Sequence, residues 1–183
     1  MIQWIAFVGL SGMLIYISRA ALRAPGSHGF YRFFAWECIL ALILLNIKVW
    51  FHAPFTWYQI VSWVLLVICI VPLYFGVRTL VARGKPVARR ESEPQLLAFE
   101  KTSALVTTGI YQYIRHPLYC SLLLLAWGAF FKSPAWFGGM LALVSTLFLY
   151  ATARADEAEC LRFFGQEYRN YMGNTKRFVP YIF

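Results

Sequence analysis

Arg115, His116 and Pro117 stand together at the head of an uncharged run that continues to Phe131, and the stretch before them, TTGIYQY, supplies Gly109, Tyr111 and Tyr113. Pro117 suits the first position of a helix, where its missing N–H is no loss. The residues just ahead of it then sit at the helix's positive end. Exposed N–H groups, an imidazole and a guanidinium at such an end are suited to a carboxylate. Tyr111, Tyr113 and Tyr119 add π-faces and hydroxyls, and Gly109 permits close backbone approach.

A second group lies forty residues on, in TARADEAECLRFFGQEYRNYM. Leu161, Phe164, Tyr168 and Tyr171 recur at spacings of three and four, which predicts an amphipathic helix. At 100° per residue Glu157 falls inside the apolar stripe, Asp156 flanks it, and Glu159 points away. An inward acid needs a cation or proton donor. A structural ion pair with Arg115 or Arg154 is one solution. Binding of a primary ammonium by Asp156 and Glu157 is another. Taken together, the two groups suit a ligand with an α-amino acid head, a positive centre for an aromatic face and a flat apolar part. S-adenosylmethionine has those parts.

The elements that must position these residues are membrane helices. The chain has 183 residues, 60% of them hydrophobic and 14% charged, with a mean hydropathy of +0.58. That composition is far too apolar for an ordinary soluble domain. Uncharged runs predict an all-α integral membrane protein with five transmembrane helices, at about 2–18, 31–50, 56–78, 117–131 and 134–153, plus a C-terminal amphipathic cytoplasmic helix. Glu37 and Lys48 are read as lying near opposite ends of the second span. The fourth run is short, so its helix either stops before the far surface or begins below the near one. In the second case His116 is recessed where a water-borne reagent meets a lipid-borne one.

Fifteen of the seventeen Lys and Arg residues fall in the first loop, the third loop and the tail. The positive-inside rule then predicts an N-terminus outside, a cytoplasmic C-terminus and an active site on the cytoplasmic side. Basic loops beside anionic headgroups account for the net charge of +9 without nucleic acid. The four cysteines have no CxxC spacing and are expected as free thiols. Three scattered histidines offer no metal site. Residues 81–109 form the one long polar connection, and no internal repeat divides the chain. The whole of 1–183 reads as a single domain with its cofactor-binding part at 105–180.

GIYQYIRHPLY followed by DEAECLRFFGQEYRNYMGNTKRFVP resembles the C-terminal half of the isoprenylcysteine carboxyl methyltransferase family, itself similar to phospholipid N-methyltransferases. The resemblance runs roughly from Leu105 to Pro180. It implies a multi-helix membrane methyltransferase holding S-adenosylmethionine between the RHP segment and the acidic helix, open to the bilayer for a lipophilic or lipid acceptor. Carried over by residue, it assigns Gly109, His116 and Tyr119 to the cofactor site, Asp156 and Glu157 to the acidic pair, and Arg177 to the arginine before the terminal proline. Tyr111, Tyr113 and Pro117 complete the expected cofactor set. Asp156 stands where a second Glu is usual, Gln112 where a basic residue is common, and Cys120-Ser121 where Leu-Gly often follows. These departures bear on the acceptor, which the sequence leaves open among an isoprenylcysteine-like carboxylate, a phospholipid amine and a small thiol. Arg115 would position a carboxylate; for an amine or thiol, Glu157 or a tyrosine is the available base. An NADPH-dependent sterol-reductase-like enzyme and a non-catalytic membrane scaffold or carrier are the alternative readings.

Overall fold

The computed structural model describes residues 2–84 and 104–179, and within them the chain is helical with no strands. The middle of the expected polar connection, with Pro86 and Pro94, lies outside the described residues, as does Pro180. The helices are α1 (Ile2–Leu22), α2 (His28–Asn46), α3 (Trp57–Arg83), α4 (Pro117–Phe130), α5 (Trp136–Phe164) and α6 (Gln166–Asn174). Four of them, α1, α2 with the turn that follows it, α3 and α5, are long and apolar enough to cross a membrane. The fifth expected span is α4, whose 14 residues rise only about 21 Å, short of a hydrocarbon layer of roughly 30 Å.

That shortness has a definite place in the bundle. α3 and α4 run antiparallel. A Cβ on Gly76 would lie 3.2 Å from Pro117 Cγ, a Cβ on Gly128 would lie 2.9 Å from Leu66, and Ser62 Oγ donates to the Gly128 carbonyl at 2.7 Å. α4 therefore starts level with Gly76, seven residues before the end of α3 at Arg83, a recess of about 10 Å. Of the two placements open to a short fourth helix, its N-terminal end is the one drawn inward relative to the ends of its neighbours.

The opposite end is closed around Lys132. Its side chain is buried, with Nζ 3.4 Å above the Trp63 ring, 5.2 Å from that of Trp50, and 3.2 Å from Gln59 Oε1. Cation–π attraction and a hydrogen bond replace the water the ammonium gives up. Between the two ends, small residues let the helices approach. Ala35, Ala126, Ala129, Ala142 and Ala153 are fully buried against Leu42 and Leu149.

Two boundaries differ from the sequence reading. α2 begins at His28 because Ser27 caps it, accepting from the Phe30 N–H at 3.2 Å. Glu37 thus falls at the middle of the helix rather than near an end, where Ser11 Oγ of α1 donates to its Oε2 at 2.6 Å. The expected division between a fifth span ending at 153 and a separate tail helix is also absent. α5 continues without interruption to Phe164, and the break comes at Gly165, whose φ of +59° is open to glycine and strained for other residues. Only the nine-residue α6 remains as a tail helix.

Candidate active site

The recess above α4 is a cavity of about 110 Å³. Its wall is drawn from the start of α2, the end of α3, the segment leading into α4, the last turns of α5, and α6. The segment before α4 is fixed by the chain that follows α6. Arg115 N–H donates to the Lys176 carbonyl at 2.8 Å and His116 N–H to that of Arg177 at 3.2 Å, a one-bridge parallel pairing of Ile114 with Lys176. Tyr171 Oη adds a bond to the Tyr111 carbonyl at 2.6 Å. This pairing carries Arg177 and Phe178 back beside the helix start.

His116 is buried at the centre. Its Nδ1 lies 3.4 Å from Asp156 Oδ2 and its Nε2 3.3 Å from Glu157 Oε1, while its ring stacks on Tyr119 with centroids 5.3 Å apart. Burial alone would lower its pKa. Hydrogen bonds and charge from Asp156 and Glu157 outweigh that, and the net shift is upward. A raised folded-state pKa means that stability from the protonated ring is full below the ordinary imidazole value and is lost as pH rises through the folded value. Detergent-solubilised protein should therefore show a falling melting temperature as pH is raised through and above neutrality. His116→Gln should flatten that dependence; an unchanged slope would show that His116 is not its source.

The acidic pair divides into two different roles. Glu157 is 4% exposed and does not line the cavity. Arg115 Nε and Nη2 reach its Oε1 at 3.0 and 2.9 Å, Arg177 Nε reaches the same oxygen at 3.1 Å, and Arg177 Nη2 reaches Oε2 at 2.7 Å. Arg115 also donates from Nη1 to the carbonyls of Met172 and Thr175, closing the end of α6. Both expected catalytic residues, Arg115 and Glu157, thus take part in a buried cluster that binds three segments together, and of the two only Arg115 also lines the cavity. Asp156 does line the cavity, with a side chain 26% exposed. Tyr119 Oη donates to its Oδ2 at 3.3 Å, and Cys160 Sγ lies 3.6 Å from Oδ1.

Of the remaining expected cofactor residues, Tyr111, Pro117 and Tyr119 line the cavity beside His116. Gly109, Tyr113 and Arg177 do not. Gly109 has φ +65°, and a Cβ there would lie 2.9 Å from Thr79 Oγ1, so its close approach is to α3. Tyr113 is 46% exposed. Arg177 packs its guanidinium 5.1 Å from the Tyr150 ring centroid. Sequence reasoning missed His28, Glu159 and Cys160. Glu159 points away from the apolar stripe of its own helix, and what it meets is another helix. Glu159 Oε1 accepts from the His28 N–H at 2.9 Å, and Oε2 lies 2.7 Å from His28 Nδ1. Nothing in local spacing joins positions 131 residues apart. Among the described residues, no group of three or more His, Cys, Asp or Glu is arranged to hold a metal.

Residues 95–167 match the phospholipid methyltransferase family. The match covers well under half of the chain. Twelve of the sixteen cavity-lining residues lie within it, from Leu105 to Phe164. Individual relatives point the same way. The methanethiol S-methyltransferase of Pseudomonas deceptionensis is 33% identical over 76 residues, covering 40% of this chain and 28% of that protein. Those of Crocosphaera subtropica and Bradyrhizobium diazoefficiens are each 29% identical, over 76 and 77 residues, covering 42% and 41% of this chain and 29% and 26% of theirs. The alignments thus span under a third of each of these relatives. No solved structure matches the chain. The phospholipid methyltransferase match ends within α6, before Tyr168, so the segment that returns Arg177 to the site lies beyond it.

Proposed function

We propose that the chain is a membrane methyltransferase that uses S-adenosylmethionine and accepts a lipophilic or small apolar substrate, working as one domain. The observation that carries this reading is the coincidence of the family-matched stretch with the wall of the recessed cavity.

The residues present suit the cofactor. Asp156 offers a carboxylate to an ammonium group. The start of α4 leaves the N–H groups of Leu118 and Tyr119 at the helix's positive end for a carboxylate. Tyr111, Tyr119, Phe164 and Tyr168 supply aromatic faces for a sulfonium and a purine. When bound, the cofactor supplies an electrophilic methyl group. The chain's own contribution is to orient the reactants and exclude water. The Arg115–Glu157–Arg177 cluster keeps the acid-bearing turn of α5 against the start of α4, and Asp156 is thereby held facing the cavity.

The recess also explains how a water-borne donor and an apolar acceptor can meet, since the cavity lies about 10 Å inward of the end of α3. Arg19, Arg23, Arg78 and Arg83 are near the helix ends on that side, which supports a cytoplasmic cavity and C-terminus with the N-terminus outside. Membranes carrying the protein, incubated with methyl-labelled cofactor, should incorporate label into a lipid or thiol-derived fraction. Incorporation no greater than in membranes lacking the protein would refute the reading.

A further inference from the structure

The outward face of α5 ends in a basic patch that the cavity does not use. Leu143, Leu147, Tyr150 and Arg154 follow one another at spacings of four, three and four, which keeps them on one side of the helix. The two leucines are exposed, and in a membrane protein such a stripe faces lipid. Trp136, exposed in the first turn of α5, suits one membrane interface. Arg154, also exposed, comes 18 residues later, a rise of about 27 Å. Across a hydrocarbon layer of roughly 30 Å, that brings its guanidinium to the opposite interface, the depth of the lipid phosphates.

At that depth two guanidiniums converge on one phenol. A guanidinium can only donate, so Tyr150 Oη accepts from both Arg154 and Arg177. The Arg177 guanidinium also lies 5.1 Å from the Tyr150 ring centroid. Carboxylates do not balance this charge. Arg177 shares the single carboxylate of Glu157 with Arg115. Among the described residues no Asp or Glu pairs with Arg154.

We propose that Arg154, Arg177 and Tyr150 bind the phosphate of an anionic phospholipid, with an acyl chain lying along Leu143 and Leu147. Arginine's planar fork matches phosphate oxygens, and the hydroxyl adds a further polar contact. A zwitterionic headgroup fits less well, because its ammonium meets no carboxylate on this face. Asp156 faces the cavity, Glu157 takes both arginines, and Glu159 takes His28. The site is separate from the cavity, whose wall includes none of the five residues. A phosphate held there offsets positive charge that Glu157 alone leaves unbalanced, and so steadies the cluster that ties the tail to α5.

The test adds phosphatidylglycerol, phosphatidylcholine or inorganic phosphate to the delipidated full chain in a non-ionic detergent. Native mass spectrometry reads retained lipid, and thermal unfolding reads its effect on the fold. Phosphatidylglycerol should be retained and should raise the melting temperature at concentrations where phosphatidylcholine does neither and inorganic phosphate gives no rise. Arg154→Gln should match the wild type in melting temperature without lipid, yet bind phosphatidylglycerol about 10-fold or more weakly. Arg162→Gln removes the same charge from an exposed position on another face of α5 and should leave that affinity nearly unchanged. Equal losses in the two variants would reduce the effect to general surface charge and overturn the site. Equal retention of the two lipids would overturn it as well, and a matching rise with inorganic phosphate would overturn the assignment to a lipid. None of these readouts involves methyl transfer, so their failure leaves the methyltransferase reading intact.

Discussion

Replacing Glu157 with Gln should lower the melting temperature of the detergent-solubilised protein by on the order of 10 °C. Breaking a buried ion pair by neutralising one partner costs about 3–5 kcal/mol, and in a chain of this size each kcal/mol moves the midpoint roughly 2–4 °C. The side chains of Glu157 and Arg115 are 6% and 8% exposed. Without the carboxylate, two guanidiniums and the buried imidazole of His116 are left facing one another. The effect should be cooperative. Arg177→Gln in the Glu157→Gln background should cost far less than in the wild type, because the carboxylate it pairs with has already been neutralised. Additive losses, or a Glu157→Gln protein within a degree or two of the wild type, would show that the cluster does not hold the three segments together.

Asp156, one residue away, should behave in the opposite manner. Asp156→Asn preserves size and most hydrogen bonding, and its side chain faces the cavity rather than a guanidinium. A charge-assisted hydrogen bond to a ligand ammonium is worth about 1.5–3 kcal/mol, which corresponds to roughly 10- to 100-fold in affinity. Calorimetric titration with S-adenosylhomocysteine should show a loss of that size, with a smaller fall in melting temperature than Glu157→Gln gives, since Asp156 also pairs with His116 but with no guanidinium. Equal affinities for the variant and the wild type would remove Asp156 from the cofactor site. The contrast between adjacent acids follows from helical geometry. At 100° per residue they diverge, one toward the cavity and one toward the arginines.

What was legible in the sequence was what depends on composition and period. Long apolar runs predicted five spans, of which four are helices of membrane length and the other is the short α4, and the stripe of Phe164, Tyr168 and Tyr171 placed three aromatic residues that do line the cavity. Pro117 marked the start of α4 correctly. The partners of Glu157 were only half visible. Arg115 was foreseen as one option, but Arg177 reaches the carboxylate because residues 114 and 176 pair as a single parallel bridge, a register that no local spacing encodes. The same limit hid His28, which meets Glu159 across the α2–α5 interface. Gly165 stands inside the helical pattern of this segment, and its positive φ divides that pattern into two helices.

If the recess above α4 holds an S-adenosylmethionine-type ligand, Cys160 is a native reporter of it, because it lies on the cavity wall while Cys38, Cys69 and Cys120 do not. Alkylation of each cysteine can be followed by mass spectrometry with and without saturating S-adenosylhomocysteine. The predicted result is slower modification of Cys160 in the presence of the ligand, with the other three unaffected. Modification of Cys160 at an unchanged rate, under conditions where calorimetry shows the ligand bound, would contradict the claim.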